Sequence, residues 1–300
     1  MLYPATFISR GRYSASVFFL SQIRSFGVVQ SIFTNGLNIA FGKYLVFVGT
    51  EYGNGVPFGI HIESYLYDRL LAETFIGEEV VWNREQQQLT FTNCNVHIHI
   101  SLMDSFDCSL KLRAQPDLWL SEWAPKMRDL ATSMNKELGL GLTLNDALAL
   151  LETREANSEM EHRLLDLSQA IKKPGHEINL DLIKYFIGRG QGLTPSGDDF
   201  LVGIMAIERI LGKADSGVSW AISRIMGKLP SLTTQVSVNY YYSACEGYFS
   251  TVILDILAAL LNEPDYDFEE CATALLDVGS SSGMDTYFGL LFAIMSCGLL

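Results

Sequence analysis

A glycine-rich string in the second half of the chain restricts the possible folds more than any other feature. Residues 188–199 read GRGQGLTPSGDD and lead directly into an apolar run. Alternating glycines let a backbone turn sharply or lie close to a ligand, because a positive φ costs glycine little. We interpret Ser196 as a helix N-cap and Asp199 as the residue that completes a capping box with it. The string therefore predicts a glycine loop that enters a helix N-terminus.

Such a loop is a candidate binding site for an anion. The N–H groups of a first helical turn lack partners within the helix, and the helix dipole places positive potential beside them. The residues expected to line this site are Gly190, Gly192, Thr194, Ser196 and Gly197. The string is neither a P-loop, which needs Gly-Lys-Ser/Thr, nor a dinucleotide fingerprint. A cap and turn without any ligand is the alternative interpretation.

Asp198 and Asp199 are the candidate catalytic residues. Their charges suit the helix dipole but would repel an anion held at the same N–H groups. An anionic substrate therefore requires a bridging cation, a protonated aspartate, or a carboxylate that points away. We expect Asp199 to return to the Ser196 backbone and Asp198, without such a partner, to point into the pocket. There it could accept a proton or hold Mg²⁺, the candidate cofactor, although the sequence leaves the metal ligands open.

A second motif repeats the first. Residues 196–203 and 282–289 share the frame Ser-Gly-x-Asp-x-x-x-Gly. A glycine inside a helix costs about 1 kcal/mol, so Gly203 and Gly289 predict a close approach of two helices. Both helix starts would then face one cavity, with the two motif serines roughly 10–15 Å apart. The residues that the second motif adds to the expected site are Ser282, Gly283 and Asp285. Two unrelated capping sequences are the alternative.

The net charge of −13 is concentrated in one part of the chain. Residues 1–115 carry 9 acids and 8 bases, whereas residues 116–300 carry 25 acids and 13 bases. An acidic body argues against nucleic acid and against an anionic membrane as partners. Only 18% of the residues are charged and 48% are hydrophobic. This composition leaves room for subunit interfaces, so we expect an oligomer.

The cysteines and the apolar segments indicate a cytoplasmic protein. The five cysteines are scattered and form no Cys-x-x-Cys pair, which favours reduced thiols and no zinc cluster. The apolar run Val17–Leu20 is too short for a signal peptide, and the apolar residues 287–300 are too few to span a bilayer.

Hydrophobic periodicity predicts an α+β fold with a β-rich domain (1–115) and a helical domain (116–300) that carries both motifs. Short strands with close turns favour a small antiparallel barrel or sandwich. The predicted strands are Val17–Leu20, Val28–Phe33, Leu37–Phe41, Tyr44–Val48, Gly59–Ile62, Leu89–Phe91, Val96–Leu102 and Cys108–Leu112, with a helix at Tyr65–Phe75. Apolar residues at three-and-four spacing predict the helices of the second domain. These are Leu118–Leu138, Leu144–Leu151, Glu159–Ile171, Leu180–Ile187, Asp198–Leu211, Ser219–Met226, Thr233–Tyr248, Thr251–Leu261, Phe268–Leu276 and Gly283–Cys297.

Two polar patterns have both a functional and a structural interpretation. Thr234, Ser237 and Tyr241 share one face of a predicted helix. This face is a candidate substrate wall, with Thr234 and Ser237 as binding residues, or a tightly packed helix contact. His97 and His99 alternate on one side of a strand, where they form either two metal ligands or a polar strand face.

The string at 190–201, GQGLTPSGDDFL, resembles a bacterial family that includes the AllH-type subunit of oxamate carbamoyltransferase. The resemblance extends through the helix around Thr234 to the second motif, whereas the β-rich part is similar only in general character. The chain departs from the family pattern at Ser280 and Met284, where the family often carries a histidine and an aromatic residue.

The resemblance implies a transferase subunit in allantoin and purine nitrogen catabolism, which exchanges oxalurate and phosphate with oxamate and carbamoyl phosphate. It also implies two partners, an FdrA-like subunit and an AllG-type subunit, and small anionic substrates. Two helix N-termini and a glycine loop would supply an anion cradle and oxyanion donors. No Ser-His-Asp or Cys-His set accompanies the motifs. The alternative is a non-catalytic scaffold or regulatory subunit that binds a small anion and docks an FdrA-like catalytic partner.

Overall fold

The computed structural model describes residues 5–16, 25–50, 54–111, 120–133, 137–173 and 178–297. The chain divides into two compact units, Met1–Ser109 and Leu110–Leu300. Apart from one α-helix within the first unit, strands precede helices along the described chain, which confirms the α+β class. The boundary predicted between residues 115 and 116 and the strand predicted at Val17–Leu20 lie outside the described residues.

The first unit is built on one curled, mixed sheet in the form of a half-barrel. Its strands are β1 Thr6–Ile8, β2 Gly11–Ser14, β3 Phe26–Phe33, β4 Gly36–Phe41, β5 Tyr44–Thr50, β6 Gly59–Ile62, β7 Glu79–Asn83, β8 Gln88–Phe91, β9 Val96–His99 and β10 Asp104–Phe106, with helix α1 Ser64–Glu73 after β6. Their order is β1-β9-β8-β7-β3-β4-β5-β6-β2-β10. Three neighbouring pairs, β1–β9, β5–β6 and β2–β10, are parallel, and the others are antiparallel as expected.

Alternation of side chains positions the core of this sheet. In β9, Val96 and Ile98 are buried, whereas His97 and His99 lie half-buried on the other face. Helix α1 covers the buried face with Tyr67 and Leu70, which belong to the same apolar cluster as Val96 and Ile98. The period of two in the sequence therefore identifies the buried face correctly.

Two strand predictions need correction. The predicted strand Val96–Leu102 ends at His99 and continues as a 3₁₀ turn, Ile100–Leu102. The described part of Cys108–Leu112 forms no strand, and residue 112 lies outside the described residues. Pairing explains both errors. Strand β9 ends at His99 because this residue pairs with Gln88, the first residue of β8, and β10 at Asp104–Phe106 pairs with β2 near the start of the chain. Such long-range pairing leaves no local signal.

The second unit is helical. Its helices are α2 Leu120–Ser133, α3 Leu144–Thr153, α4 Glu159–Lys172, α5 Leu180–Phe186, α6 Ser196–Ile210, α7 Val218–Ile225, α8 Gln235–Cys245, α9 Thr251–Leu260, α10 Phe268–Leu276 and α11 Ser282–Ser296, with a 3₁₀ helix at Met226–Ser231. Each predicted helix has a counterpart, and the bounds differ by a few residues. None of the described helices is long and apolar enough to cross a lipid bilayer.

Helices α6 and α11 form the centre of this unit and cross at two glycines. A Cβ on Gly203 would lie 3.0 Å from the Cα of Gly289 and would overlap the carbonyl oxygen of Thr286. A Cβ on Gly289 would lie 3.1 Å from the Cα of Gly203 and would overlap the carbonyl of Phe200. The two contacts are equivalent, because Gly203 and Phe200 of the first motif occupy the same positions as Gly289 and Thr286 of the second motif. The predicted close approach is confirmed, and it brings the first turns of both helices together.

A buried carboxylate holds the start of α7. Glu208 of α6 accepts hydrogen bonds from the N–H of Val218 (2.6 Å), the N–H of Ser219 (2.9 Å) and the Ser219 hydroxyl (3.0 Å). Helix α7 has no side-chain cap of its own, so Glu208 replaces one. Burial raises the pKa of Glu208 to about 7, although the Ser219 and Val218 donors oppose this shift.

We expect Gly203→Ala to destabilise the protein by about 1–3 kcal/mol, because the added methyl group forces α6 and α11 apart. Urea unfolding followed by circular dichroism measures this loss. Gly227→Ala is the control, since nothing lies within 4 Å of a Cβ at that position. Equal stability of the two variants would contradict the close crossing.

Glu208 predicts a pH-dependent contribution to stability. Its pKa is higher in the folded chain than in the unfolded chain, where it is near 4.5. The contribution is therefore fully present below about pH 4.5 and is lost as the pH rises through about 7, on the order of 3 kcal/mol in total. We expect the unfolding free energy of the wild type, measured relative to Glu208→Gln, to fall between about pH 5 and about pH 8. A constant difference would show that Glu208 is ionised throughout.

Candidate functional site

The glycine loop between α5 and α6 has the predicted backbone. Gly188, Gly190 and Gly192 all have positive φ, at 71°, 113° and 93°, a region that favours glycine. Residues 189–193 are exposed, and Leu193 is 44% exposed at the centre of the loop. A Cβ on Gly190 would lie 2.6 Å from the backbone nitrogen of Ser196. The loop therefore folds back against the start of α6, as only glycine permits.

The predicted capping box is wrong. The N-cap of α6 is Pro195, at φ −52° and ψ 142°, and no side chain caps the helix. Ser196 is thus the first helical residue and not the N-cap, so the helix starts one residue earlier than the predicted cap implied. The N–H of Gly197 donates to the carbonyl of Arg189 at 2.8 Å, so it is not available to an anion. The start of α6 is closed by its own loop.

Asp198 is a buried hydrogen-bond centre, contrary to the expectation that it lacks a partner. Its carboxylate accepts hydrogen bonds from the Gly188 N–H (2.9 Å), the Tyr241 hydroxyl (2.8 Å) and the Thr233 hydroxyl. Burial raises the pKa of Asp198, and these donors together with Ser237 oppose the shift. Asp198 therefore ties the glycine loop to α8 and points away from the exposed side of the loop.

The start of α8 supports the same loop. Thr234 is the N-cap of α8 and accepts a hydrogen bond from the Ser237 N–H at 3.1 Å. Its hydroxyl donates to the carbonyl of Leu193. The predicted helix start at Thr233 is therefore two residues early, because a β-region cap precedes the helix. Ser237 is buried, and its hydroxyl oxygen has no hydrogen bond of good geometry with the described residues.

The second motif begins its helix in the same way as the first. Ser282 is the first residue of α11, and the Gly283 N–H donates to the carbonyl of Val278 at 2.9 Å, as Gly197 does to Arg189. The Thr194 hydroxyl lies 3.0 Å from the Ser282 hydroxyl. The repeated frame therefore begins both helices in the same way, and the two helix starts meet. The shared cavity and the separation of the two motif serines stay predictions.

Asp199 and Asp285 form a reciprocal pair between these two helix starts. Burial raises the pKa of Asp199 well above its usual value, the Ser282 and Thr194 hydroxyls lower it, and the charge of Asp285 raises it further. Burial also raises the pKa of Asp285, which the Ser196 hydroxyl opposes. Each aspartate thus interacts with the first serine of the other helix. In both side chains the Oδ2 atom is buried without a hydrogen bond from the described residues.

Sequence reasoning missed the loop that completes this pair. The N–H of Gly139 donates to Oδ1 of Asp285 at 2.9 Å. A Cβ on Gly139 would overlap the Ser196 hydroxyl and would lie 3.0 Å from the Ser281 hydroxyl. The only local signal is the alternation Gly139-Leu140-Gly141, which resembles the first glycine string. Gly139, Ser281 and Thr233 are therefore additional residues of the site.

The described residues contain no group of three or more histidine, cysteine, aspartate or glutamate side chains that could hold a metal ion. The His97 ring nitrogens instead contact Gln88 (2.5 Å), Thr90 (3.0 Å) and Asn95 (3.0 Å). These contacts match a polar strand face, the structural alternative for His97 and His99.

One protein-family comparison matches the segment that builds this site. Residues 186–294 match the family described as oxamate carbamoyltransferase subunit AllH. The resemblance to this family found in the sequence is confirmed for residues 186–294. This AllH segment runs from the end of α5 into α11, and it contains the glycine loop, both helix starts and Thr234. Gly139 lies outside it. No solved structure matches the chain.

We expect Tyr241→Phe to destabilise the protein by about 1.5–3 kcal/mol, because it removes a buried donor to the Asp198 carboxylate. Thermal and urea unfolding measure the loss, and Tyr266→Phe, at a tyrosine that is 39% exposed, is the matched control. A Tyr241→Phe variant as stable as its control would contradict the structural role of Asp198.

Proposed function

We propose that this chain is a subunit of an oxamate carbamoyltransferase and that it carries part of the reaction site. The reaction exchanges oxalurate and phosphate with oxamate and carbamoyl phosphate, in the cytoplasm, as a step of allantoin and purine nitrogen catabolism. The proposed partners are an FdrA-like subunit and an AllG-type subunit. The AllH family match supports the subunit and the type of transferase.

The meeting of the two helix starts carries the proposal of a reaction site. Thr194, Asp199, Ser282 and Asp285 come together although the two motifs are separated by most of the AllH segment. Capping alone does not explain this arrangement, because neither motif serine caps its helix. Partnerless carboxylate oxygens are costly to bury. Such a cost is typical of a site kept for chemistry.

The loop offers donors to an anionic substrate on its exposed side. No hydrogen bond among the described residues uses the N–H groups of Gly190 or Gly192. Both residues are exposed, and Asp199 is partly exposed, whereas Asp198 is 2% exposed. We therefore assign substrate contact to Asp199 and the loop N–H groups, and a positioning role to Asp198. Gly197, Gly283 and Thr234 support the loop rather than the substrate.

The scaffold alternative has an observation in its favour. Leu193 is a large apolar side chain, 44% exposed at the centre of the loop, where a docked subunit would cover it. In that interpretation a partner supplies the reacting groups, and the paired aspartates only hold the two helices.

Reconstitution distinguishes the two functions. The chain is combined with its FdrA-like and AllG-type partners, and carbamoyl phosphate formed from oxalurate and phosphate is measured. We expect Asp199→Asn to assemble normally in size-exclusion chromatography and to lose most of the turnover. Asp181→Asn, an exposed aspartate in the first turn of α5, should retain it. A fully active Asp199→Asn complex would favour the scaffold, and an inactive wild-type complex would reject the proposed reaction.

A further inference from the structure

We propose that Asp199 and Asp285 form a carboxyl pair that holds one proton, and that Asp199 donates this proton to the nitrogen that leaves the carbamoyl group. This inference rests on the proposed function and assigns a chemical role within the same site. The role differs from the one expected from the sequence, where Asp198 was the group free to act.

Two buried carboxylate oxygens without hydrogen-bond donors favour a proton or an ion between the helices. Asp285 is 0% exposed, and the Oδ2 atoms of both aspartates are buried without a partner among the described residues. A buried carboxylate oxygen without a hydrogen-bond donor loses the stabilisation that water would give its negative charge. Two carboxyl groups that share a site generally ionise in two separate steps, and the pKa of one of them is raised.

The surrounding groups determine which carboxyl retains the proton. Asp285 accepts the Gly139 N–H and interacts with the hydroxyls of Ser196 and Ser281, all of which favour its ionised form. Burial raises the pKa of Asp199, and the charges of Asp285 and Asp198 raise it further. We therefore place the proton on Asp199 and the charge on Asp285.

The titratable groups that face Asp199 come from three helices. They are Asp198 on its own helix α6, Asp285 on α11 and the Tyr241 hydroxyl on α8. The charges of Asp198 and Asp285 raise the pKa of Asp199, and the charge of Asp199 raises the pKa of Tyr241. The groups that most affect the pKa of Asp199 and of Asp285 include no lysine, arginine or histidine.

A neutral Asp199 resolves the charge conflict and supplies the required chemistry. An oxygen of hydrogen phosphate bonds to the carbamoyl carbon of oxalurate, and the carbon–nitrogen bond breaks with its electron pair moving to nitrogen. The Asp199 proton moves to this nitrogen and completes the amide of oxamate. The proton of the attacking hydrogen phosphate then returns to the carboxyl pair. Atoms and charge balance without another reactant, and protonation of the leaving group is a known source of rate enhancement.

Infrared spectroscopy of the full chain at neutral pH tests the proton without any assay of activity. A protonated carboxylic acid has a C=O stretching band that an ionised carboxylate lacks. Glu208 also contributes to this band at neutral pH, so we expect Asp199→Asn to lose only the part of the wild-type intensity that comes from Asp199, even before the partners are added. Asp181→Asn is the matched control, because Lys184 lowers the pKa of Asp181 and keeps it ionised. An unchanged band in Asp199→Asn would overturn the proposal.

The pH profile of the reconstituted complex tests the proton donor. Asp285→Asn keeps an oxygen for the Gly139 N–H but removes the neighbouring charge that holds the proton on Asp199. Because the donor must be protonated, we expect turnover to decline at a lower pH in Asp285→Asn than in the wild type. We expect Asp199→Asn to lose on the order of 10²–10⁴-fold in turnover.

Two outcomes would overturn the proposal while leaving the proposed function intact. The first is an Asp285→Asn profile that coincides with the wild-type profile. The second is loss of wild-type activity with a chelator and its recovery with Mg²⁺, together with an infrared band that is unchanged in Asp199→Asn, which would place a cation between the carboxylates. An Asp199→Asn complex with full turnover would overturn the proposal and would also favour the scaffold over the proposed reaction site. A wild-type complex that forms no carbamoyl phosphate would reject the proposed function itself, while the infrared result would still decide the proton.

Discussion

The crossing of α6 and α11 at Gly203 and Gly289 is the contact on which the site depends. Backbone meets backbone there, so the two helices lie closer than side chains would allow. Phe200 and Phe288 stack beside the crossing at 5.3 Å and fix the helices around it. Because both motifs place serine and aspartate at the same distance before the glycine, one crossing aligns both helix starts. The site is a consequence of this packing.

The helical unit buries three carboxylates almost completely. Asp198, Asp285 and Glu208 are at most 2% exposed, and burial raises the pKa of each. Two of them are satisfied structurally, since Asp198 receives three donors and Glu208 caps α7. Asp285 and its partner Asp199 each retain an oxygen without a donor. Asp198 and Glu208 therefore stabilise the fold, whereas Asp199 and Asp285 form the pair that we assign to proton transfer.

The sequence predicts elements whose signals are local. Helix α10 begins and ends where the periodicity places it, at Phe268 and Leu276, because Asp267 caps it and its apolar stripe is uninterrupted. The relation of the two motifs is also visible, because it lies within short strings. The roles of Asp198 and Asp199 could not be predicted from the sequence. The helix starts one residue earlier than expected, and each position along a helix points about 100° away from the next one. Gly139 is invisible for another reason, since 146 residues separate it from Asp285.

The third position differs between the two motifs, and this difference accounts for their unequal loops. Asp198 in the first motif corresponds to Met284 in the second, which is 1% exposed and packs in the apolar core. The first motif follows the long glycine loop, whose Gly188 N–H requires a distant acceptor, and Asp198 supplies it. The loop before α11 is short and turns at Gly279 with Gly283 bonded directly to Val278, so it needs no such anchor. An anchored loop can stay exposed at its centre and still hold its shape. The extra aspartate of the first motif therefore positions the loop, which leaves the aspartate common to both motifs for the site.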